Sequence, residues 1–184
     1  QAEQSLAGRD IGPLPEVVNP DRKAACERNF QLFCESYFPE TYSLAWSPDH
    51  LKVIEKIETA VLRGGLFALA LPRGSGKTTI TESAALWSML YGHREFVVLI
   101  GATESAALEL LDSLKTELEV NERLAEDFPE VCYPVAQLEG IANRCAGQLY
   151  KGERTRITWT SNEIVLPTVE GSRASGIIVR VAGI

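Results

Sequence analysis

Leu66-Phe67-Ala68-Leu69-Ala70-Leu71-Pro72-Arg73-Gly74-Ser75-Gly76-Lys77-Thr78-Thr79 is the stretch on which the reading of this chain turns. Its first six residues are apolar without alternation, the pattern of a central parallel strand covered on both faces. Residues 72–76 break the run, and residues 77–91 are helix-compatible. A glycine loop between a buried strand and a helix has a definite chemistry. The glycines let successive backbone N–H groups turn inward around an anion, and the helix N-terminus adds its partial positive charge. In that frame Lys77 reaches β- and γ-phosphate oxygens and the Thr78 hydroxyl ligates Mg²⁺. The candidate site for ATP and Mg²⁺ is therefore Pro72, Arg73, Gly74, Ser75, Gly76, Lys77, Thr78 and Thr79.

Downstream of the loop, residues 96–100 predict a second buried strand. Thr103 then caps a helix whose core stripe is Ala107, Leu111, Leu114 and Leu118. Strand, helix, strand, helix points to an α/β sheet with right-handed crossovers. Further on, Leu138, Ile141, Cys145 and Leu149 predict one helix over residues 135–149. A hairpin is expected across Ser161-Asn162, and a last strand over residues 176–181. Upstream, Cys26, Phe30, Phe33 and Tyr37 share one face of a helix predicted over residues 22–37. Ser47 and Pro48 open another, which Gly64-Gly65 stops. Residues 1–21 read as an arm and residues 22–184 as one domain.

Composition narrows the function. At 184 residues with 45% hydrophobic and 23% charged side chains, the chain has the makeup of one globular domain. Its longest apolar runs are far too short to cross a bilayer, so no membrane partner is expected. The net charge of -7 argues against a simple DNA-binding module, which needs a basic excess to displace counterions. Residues 144–184 reverse the sign, with six basic and three acidic side chains, and Arg144, Lys151, Arg154 and Arg156 read as a solvated basic face. Cys26, Cys34, Cys132 and Cys145 lack metal-ligand spacing and read as free thiols in a reducing compartment. The chain begins at Gln1 without a secretory pattern, and the missing Met suggests that sequence upstream was removed or never included.

The loop departs from G-x-x-x-x-G-K-[ST], since Leu71 stands where the first glycine should be and Arg73 lies four positions before the lysine. That variant resembles the loop of the large terminase subunits of tailed bacteriophages, motors that pump DNA into a prohead. The likeness extends over most of residues 22–184. It takes in Ala45-Trp46-Ser47-Pro48-Asp49-His50, where the family carries an adenine-contacting motif, and Val97-Val98-Leu99-Ile100-Gly101-Ala102-Thr103. It also takes in Asn121-Glu122-Arg123-Leu124, Asp127-Phe128-Pro129, Thr158-Trp159-Thr160, Ile164-Val165-Leu166 and Gly171-Ser172-Arg173.

The resemblance implies a P-loop NTPase fold of the RecA/ASCE type, a parallel sheet flanked by helices with an N-terminal helical extension. It implies an ATPase, a hydrolase that couples ATP to translocation of double-stranded DNA in the cytoplasm of a bacterial host. Lys77 and Arg73 would then be the catalytic residues, with Arg73 sensing the γ-phosphate in place of being a solvated loop charge. Trp46 and His50 would be adenine contacts, against the plainer readings of a core aromatic and a helix-surface residue. The implied partners are a portal protein and a small terminase subunit, with a homo-oligomeric ring in the complete protein.

An apolar strand ending in Asp-Glu, which such an ATPase needs for Mg²⁺ and the attacking water, is missing from the sequence. The resemblance places that strand, and a nuclease domain after it, beyond Ile184. Hydrolysis by the chain alone is then expected to be weak or absent. Two other classes fit the loop: a superfamily-two-type helicase or translocase, and a nucleotide-gated assembly module that does not hydrolyse.

Overall fold

Side-chain caps set most helix starts. In the computed structural model, which describes residues 9–184, helix α1 (Pro20–Cys26) opens on Asn19, α2 (Phe30–Tyr37) on Asn29 and α3 (Pro48–Arg63) on Ser47. Each cap accepts a backbone N–H of the first turn, which satisfies a donor that the helix itself leaves open. Helix α4 (Lys77–Leu90) starts on Gly76 with no side-chain cap. Strand β1 (Phe96–Gly101) follows, then α5 (Glu104–Val120) capped by Thr103, α6 (Glu122–Asp127) capped by Asn121, and α7 (Pro129–Ala136). A 3₁₀ turn (Ala142–Gly147) leads to five short strands: β2 (Leu149–Tyr150), β3 (Glu153–Arg154), β4 (Thr158–Trp159), β5 (Glu163–Val165) and β6 (Ile178–Gly183).

The result is an α/β arrangement with a mixed sheet. Its order is β1-β6-β5-β4; β1 and β6 are parallel, with Phe96 opposite Ile178 and Gly101 opposite Gly183, and the other pairs are antiparallel. Helix α5 packs on β1 and β6, and Ala107, Leu111, Leu114 and Leu118 are buried on it as the sequence predicts. Leu99, Val179, Ile164 and Trp159 are buried in the sheet, whereas Phe96, Val98 and Ile100 of β1 are exposed. Strand β1 is thus covered on one face, and not on both as its apolar run suggests.

The larger correction concerns residues 66–71. They form no strand and pair with none of the described strands, and Leu66 is fully exposed. Leu69 and Leu71 pack against the core as partly buried residues. An apolar run reports what a segment tolerates; covering it on both faces takes neighbours on two sides, and the described residues supply one.

Two predicted helices are broken. Residues 22–37 form α1 and α2 because Asn29 turns its side chain to the Leu32 N–H and opens a new helix. Residues 135–149 do not form one helix: Glu139 and Gly140 take left-handed φ angles of 49° and 70°, and the chain resumes as the 3₁₀ turn. The hairpin across Ser161-Asn162 is present, and its strands are shorter than expected. The β2–β3 hairpin was not legible in advance.

The core centres on aromatic side chains of α2, α4 and the α6–α7 corner. Phe30, Phe33, Tyr37, Trp87 and Phe128 are essentially inaccessible, and their rings meet at 4.9–5.6 Å in the Phe33–Tyr37, Phe30–Trp87 and Tyr37–Phe128 pairs. Among them sits Asp127, fully buried. It accepts from Asn19 N (3.0 Å), Arg22 Nε (2.6 Å) and Tyr37 Oη (2.7 Å), while Arg22 also reaches Glu126.

The described part of the arm is tied to the body. Arg9 and Ile11 exchange backbone bonds with Leu149, and Asp10 accepts from Gly12 and Gly152, donors that hold its carboxyl below the usual range. The first eight arm residues lie outside the described residues. Cys26, Cys34 and Cys132 are buried free thiols, and burial pushes Cys132 up to about 12.

Candidate functional site

Helix α4 places the glycine loop. Its C-terminal half is locked in the core, with Leu86, Trp87, Met89 and Leu90 at most 2% exposed and the Trp87 indole donating to the Cys26 carbonyl. Its first turn stands at the surface, with Thr78 exposed and Lys77 and Thr79 half-buried. The helix is therefore an anchored post whose free end carries residues 72–79.

Two glycines shape the loop's backbone. Gly74 and Gly76 both lie in the left-handed region, at φ of 78° and 72°, and open space surrounds the position where a Cβ would stand. Among the described residues, the backbone N–H groups of Gly74, Gly76, Lys77 and Thr78 find no protein acceptor. The first helical N–H groups are orphans by geometry, and here no side chain caps them. A cluster of open donors at the positive end of a 14-residue helix suits a phosphate.

The loop holds its own cation. Lys77 Nζ donates to the carbonyls of Leu71 (2.6 Å) and Pro72 (2.8 Å), and Ser75 Oγ donates to Pro72 O (2.8 Å). Thr78 is exposed at the first turn, in a place to offer its hydroxyl to a cation beside a bound phosphate. Arg73 is exposed and has no hydrogen-bond or ion-pair partner among the described residues, so its guanidinium is open to an incoming anion. The acid nearest along α4 is Glu82, whose carboxyl burial pushes up, with Ser113 opposing and Glu117 reinforcing the shift. Among the described residues no three His, Cys, Asp or Glu side chains gather as a metal site.

Of Trp46 and His50, only His50 touches the loop. Trp46 stacks on Tyr42 at 4.9 Å, donates its indole N–H to Glu35 Oε1 (2.7 Å) and packs against the core, in line with the plainer reading of a core aromatic. His50 meets Trp46 edge-on at 6.0 Å, and its Nε2 lies 2.9 Å from the Ser75 carbonyl. The sequence offered base contact or surface residue for His50; the observed partner is the loop backbone. Arg173 pairs with Glu27 at 2.5 Å, and Arg144 pairs with Glu139 at 2.7 Å.

Sequence reasoning named His50 but missed its partner, and it missed the role of a second residue that organises the site. The partner is the Ser75 carbonyl, which a histidine three residues after a Ser-Pro cap does not announce. The second residue is Asp127, which fixes the block that carries α4. Its signal was present, an acid between Leu124 and Phe128 on a face that is otherwise apolar. No helix among the described residues is long and apolar enough to cross a membrane. Compared with family models, curated proteins and solved structures, the chain finds no match.

Proposed function

We infer that this chain binds ATP with Mg²⁺ at residues 72–79 and is the nucleotide-binding portion of a DNA-packaging motor of the large terminase type. One observation carries the nucleotide: open N–H donors on left-handed Gly74 and Gly76 at the uncapped start of α4, with Lys77 folded over the same loop. The motor assignment, and with it a P-loop NTPase fold, double-stranded DNA, a portal and a small subunit as partners, rests on the resemblance of the loop and its flanking segments.

In this reading Lys77 leaves the Leu71 and Pro72 carbonyls, which are neutral acceptors, for β- and γ-phosphate oxygens, where charge makes the bond roughly twice as strong. The loop amides bind the phosphates from below and α4 adds its dipole. Thr78 orients the metal, which when bound neutralises phosphate charge. Arg73 closes on the γ-phosphate, where a planar guanidinium can bind in bidentate fashion. Together these groups position the triphosphate and stabilise charge at its terminal oxygens, which is most of what a protein supplies to phosphoryl transfer.

Titration calorimetry with Mg·ATP tests the reading. The wild-type chain gives a binding isotherm, and Lys77→Ala weakens it by at least about tenfold, roughly 1.4 kcal/mol. Equal affinity in the two proteins rejects a phosphate role for this loop. The motor reading further predicts that double-stranded DNA of arbitrary sequence speeds ATP turnover in a protein carrying this domain together with the acidic strand. Absence of that stimulation favours a nucleotide-gated module.

A further inference from the structure

We propose that His50 is a positioning residue for the loop, acting through the Ser75 carbonyl to aim the Gly76 amide at the triphosphate. This rests on the nucleotide reading above and adds to it how the loop keeps its shape. A carbonyl can only accept, so the 2.9 Å contact requires the proton on His50 Nε2. In the neutral ring Nδ1 is then an acceptor, and Ser47 Oγ lies 3.0 Å away with a proton to give. The same hydroxyl oxygen accepts the His50 backbone N–H as the cap of α3. One serine therefore starts the helix and sets the tautomer of the imidazole that reaches the loop.

The consequence follows from peptide geometry. The bond between Ser75 and Gly76 is trans, so its C=O and N–H point in opposite directions. With the oxygen held on α3, the Gly76 N–H must face away from α3. Nothing local enforces this, because Gly76 accepts either sign of φ and the peptide plane can turn over at little cost. The Ser75 side chain does not prevent it either, since its hydroxyl is bonded to Pro72 O. Among the described residues, His50 is the only donor to the Ser75 carbonyl, and so the one hydrogen-bond restraint on that plane.

A base contact and a loop strap differ in what they need from the ligand. The test measures Mg·ATP and Mg·tripolyphosphate, which has no base, against wild type, His50→Ala, His50→Asn and His50→Gln, with melting temperatures alongside. The proposal expects His50→Ala and His50→Asn to weaken both ligands by the same factor, roughly three- to tenfold, the size of one neutral hydrogen bond. Gln carries a donor at the reach of Nε2 and restores both, whereas Asn places its donor at the reach of Nδ1 and does not. In the ligand-free protein the Gly76 amide resonance moves in His50→Ala, while that of Trp87 stays.

Loss of ATP affinity with tripolyphosphate unchanged makes His50 a base contact and overturns the proposal. So does unchanged affinity for both ligands, or a loss that follows a lowered melting temperature and is not restored by Gln. Should His50→Ala fail to fold, Asn against Gln decides alone. A wild-type protein that binds neither ligand rejects the nucleotide reading itself, a result visible before any His50 variant is made.

Discussion

Helix α4 joins two regions of opposite character. At its C-terminal end Trp87 and Met89 are inaccessible, and the neighbouring Asp127 is held by three donors from Asn19, Arg22 and Tyr37. At its N-terminal end residues 72–79 are largely at the surface, the amides are open, and Lys77 is bonded to its own loop. The first region is over-determined, because each polar group there has a partner that cannot leave without a cost. The second is under-determined, because its donors have no acceptor among the described residues. A rigid block beneath a loop of open donors would suit the proposed nucleotide site, because it would hold the binding geometry in place.

Removing the acid at the centre of the block should have the largest effect. Asp127→Ala leaves the Arg22 guanidinium with Glu126 alone and strands the Tyr37 hydroxyl, and urea unfolding should show a loss of about 3–5 kcal/mol. A loss under about 1 kcal/mol would mean that the block is not the anchor. Next comes Gly92→Ala. Gly92 sits at φ 65° with the Arg173 carbonyl oxygen 2.3 Å from where a Cβ would be, so the 171–173 turn is packed directly on its backbone. The expected cost is about 1–3 kcal/mol by the same unfolding measurement, from a forced shift added to an unfavourable φ. Lys77→Ala sharpens the contrast from the other side. Its stability should stay within about 0.5 kcal/mol of wild type, since the amine supports only its own loop, although Mg·ATP affinity falls.

The smallest expected effect is a pH dependence confined to the block. Burial, aided by Arg173 and Arg28, lowers His93 from its usual 6.5, with the Glu27 carbonyl bond opposing. The folded state therefore favours neutral imidazole: that stability is complete above the unfolded value and declines as pH falls below about 6.5 toward the folded one. Glu27, lowered chiefly by its bond to Arg173, adds a second loss as pH falls below its usual 4.5. Melting temperature should drop modestly between pH 7 and pH 5.5, and His93→Gln should flatten that slope. A slope unchanged in the variant would place the sensitivity elsewhere.

The glycine loop and its helix could be read from the sequence because their chemistry is local. Gly74, Gly76 and Lys77 act through the backbone they sit on, and Ser47 and Thr103 cap the helices that follow them. The α/β class and the Leu111–Leu118 stripe were legible for a similar reason, since one periodic face reports one buried side. Residues 66–71 were misread because hydrophobicity does not say whether a second neighbour exists. The break at Asn29 was hidden because its flanking apolar residues keep helical spacing on both sides. The Asp127 hub and the His50–Ser75 contact join residues far apart in sequence, and no local pattern encodes a partner that only folding brings near.

Amide resonances of the labelled chain, followed through a titration with Mg·ATP, test the central claim most directly. The account predicts large shifts at Gly74, Gly76, Lys77 and Thr78, with Leu86, Trp87 and the amides around Asp127 unmoved. Loop amides that stay in place at saturating nucleotide, or shifts centred on the Asp127 block instead, would contradict it.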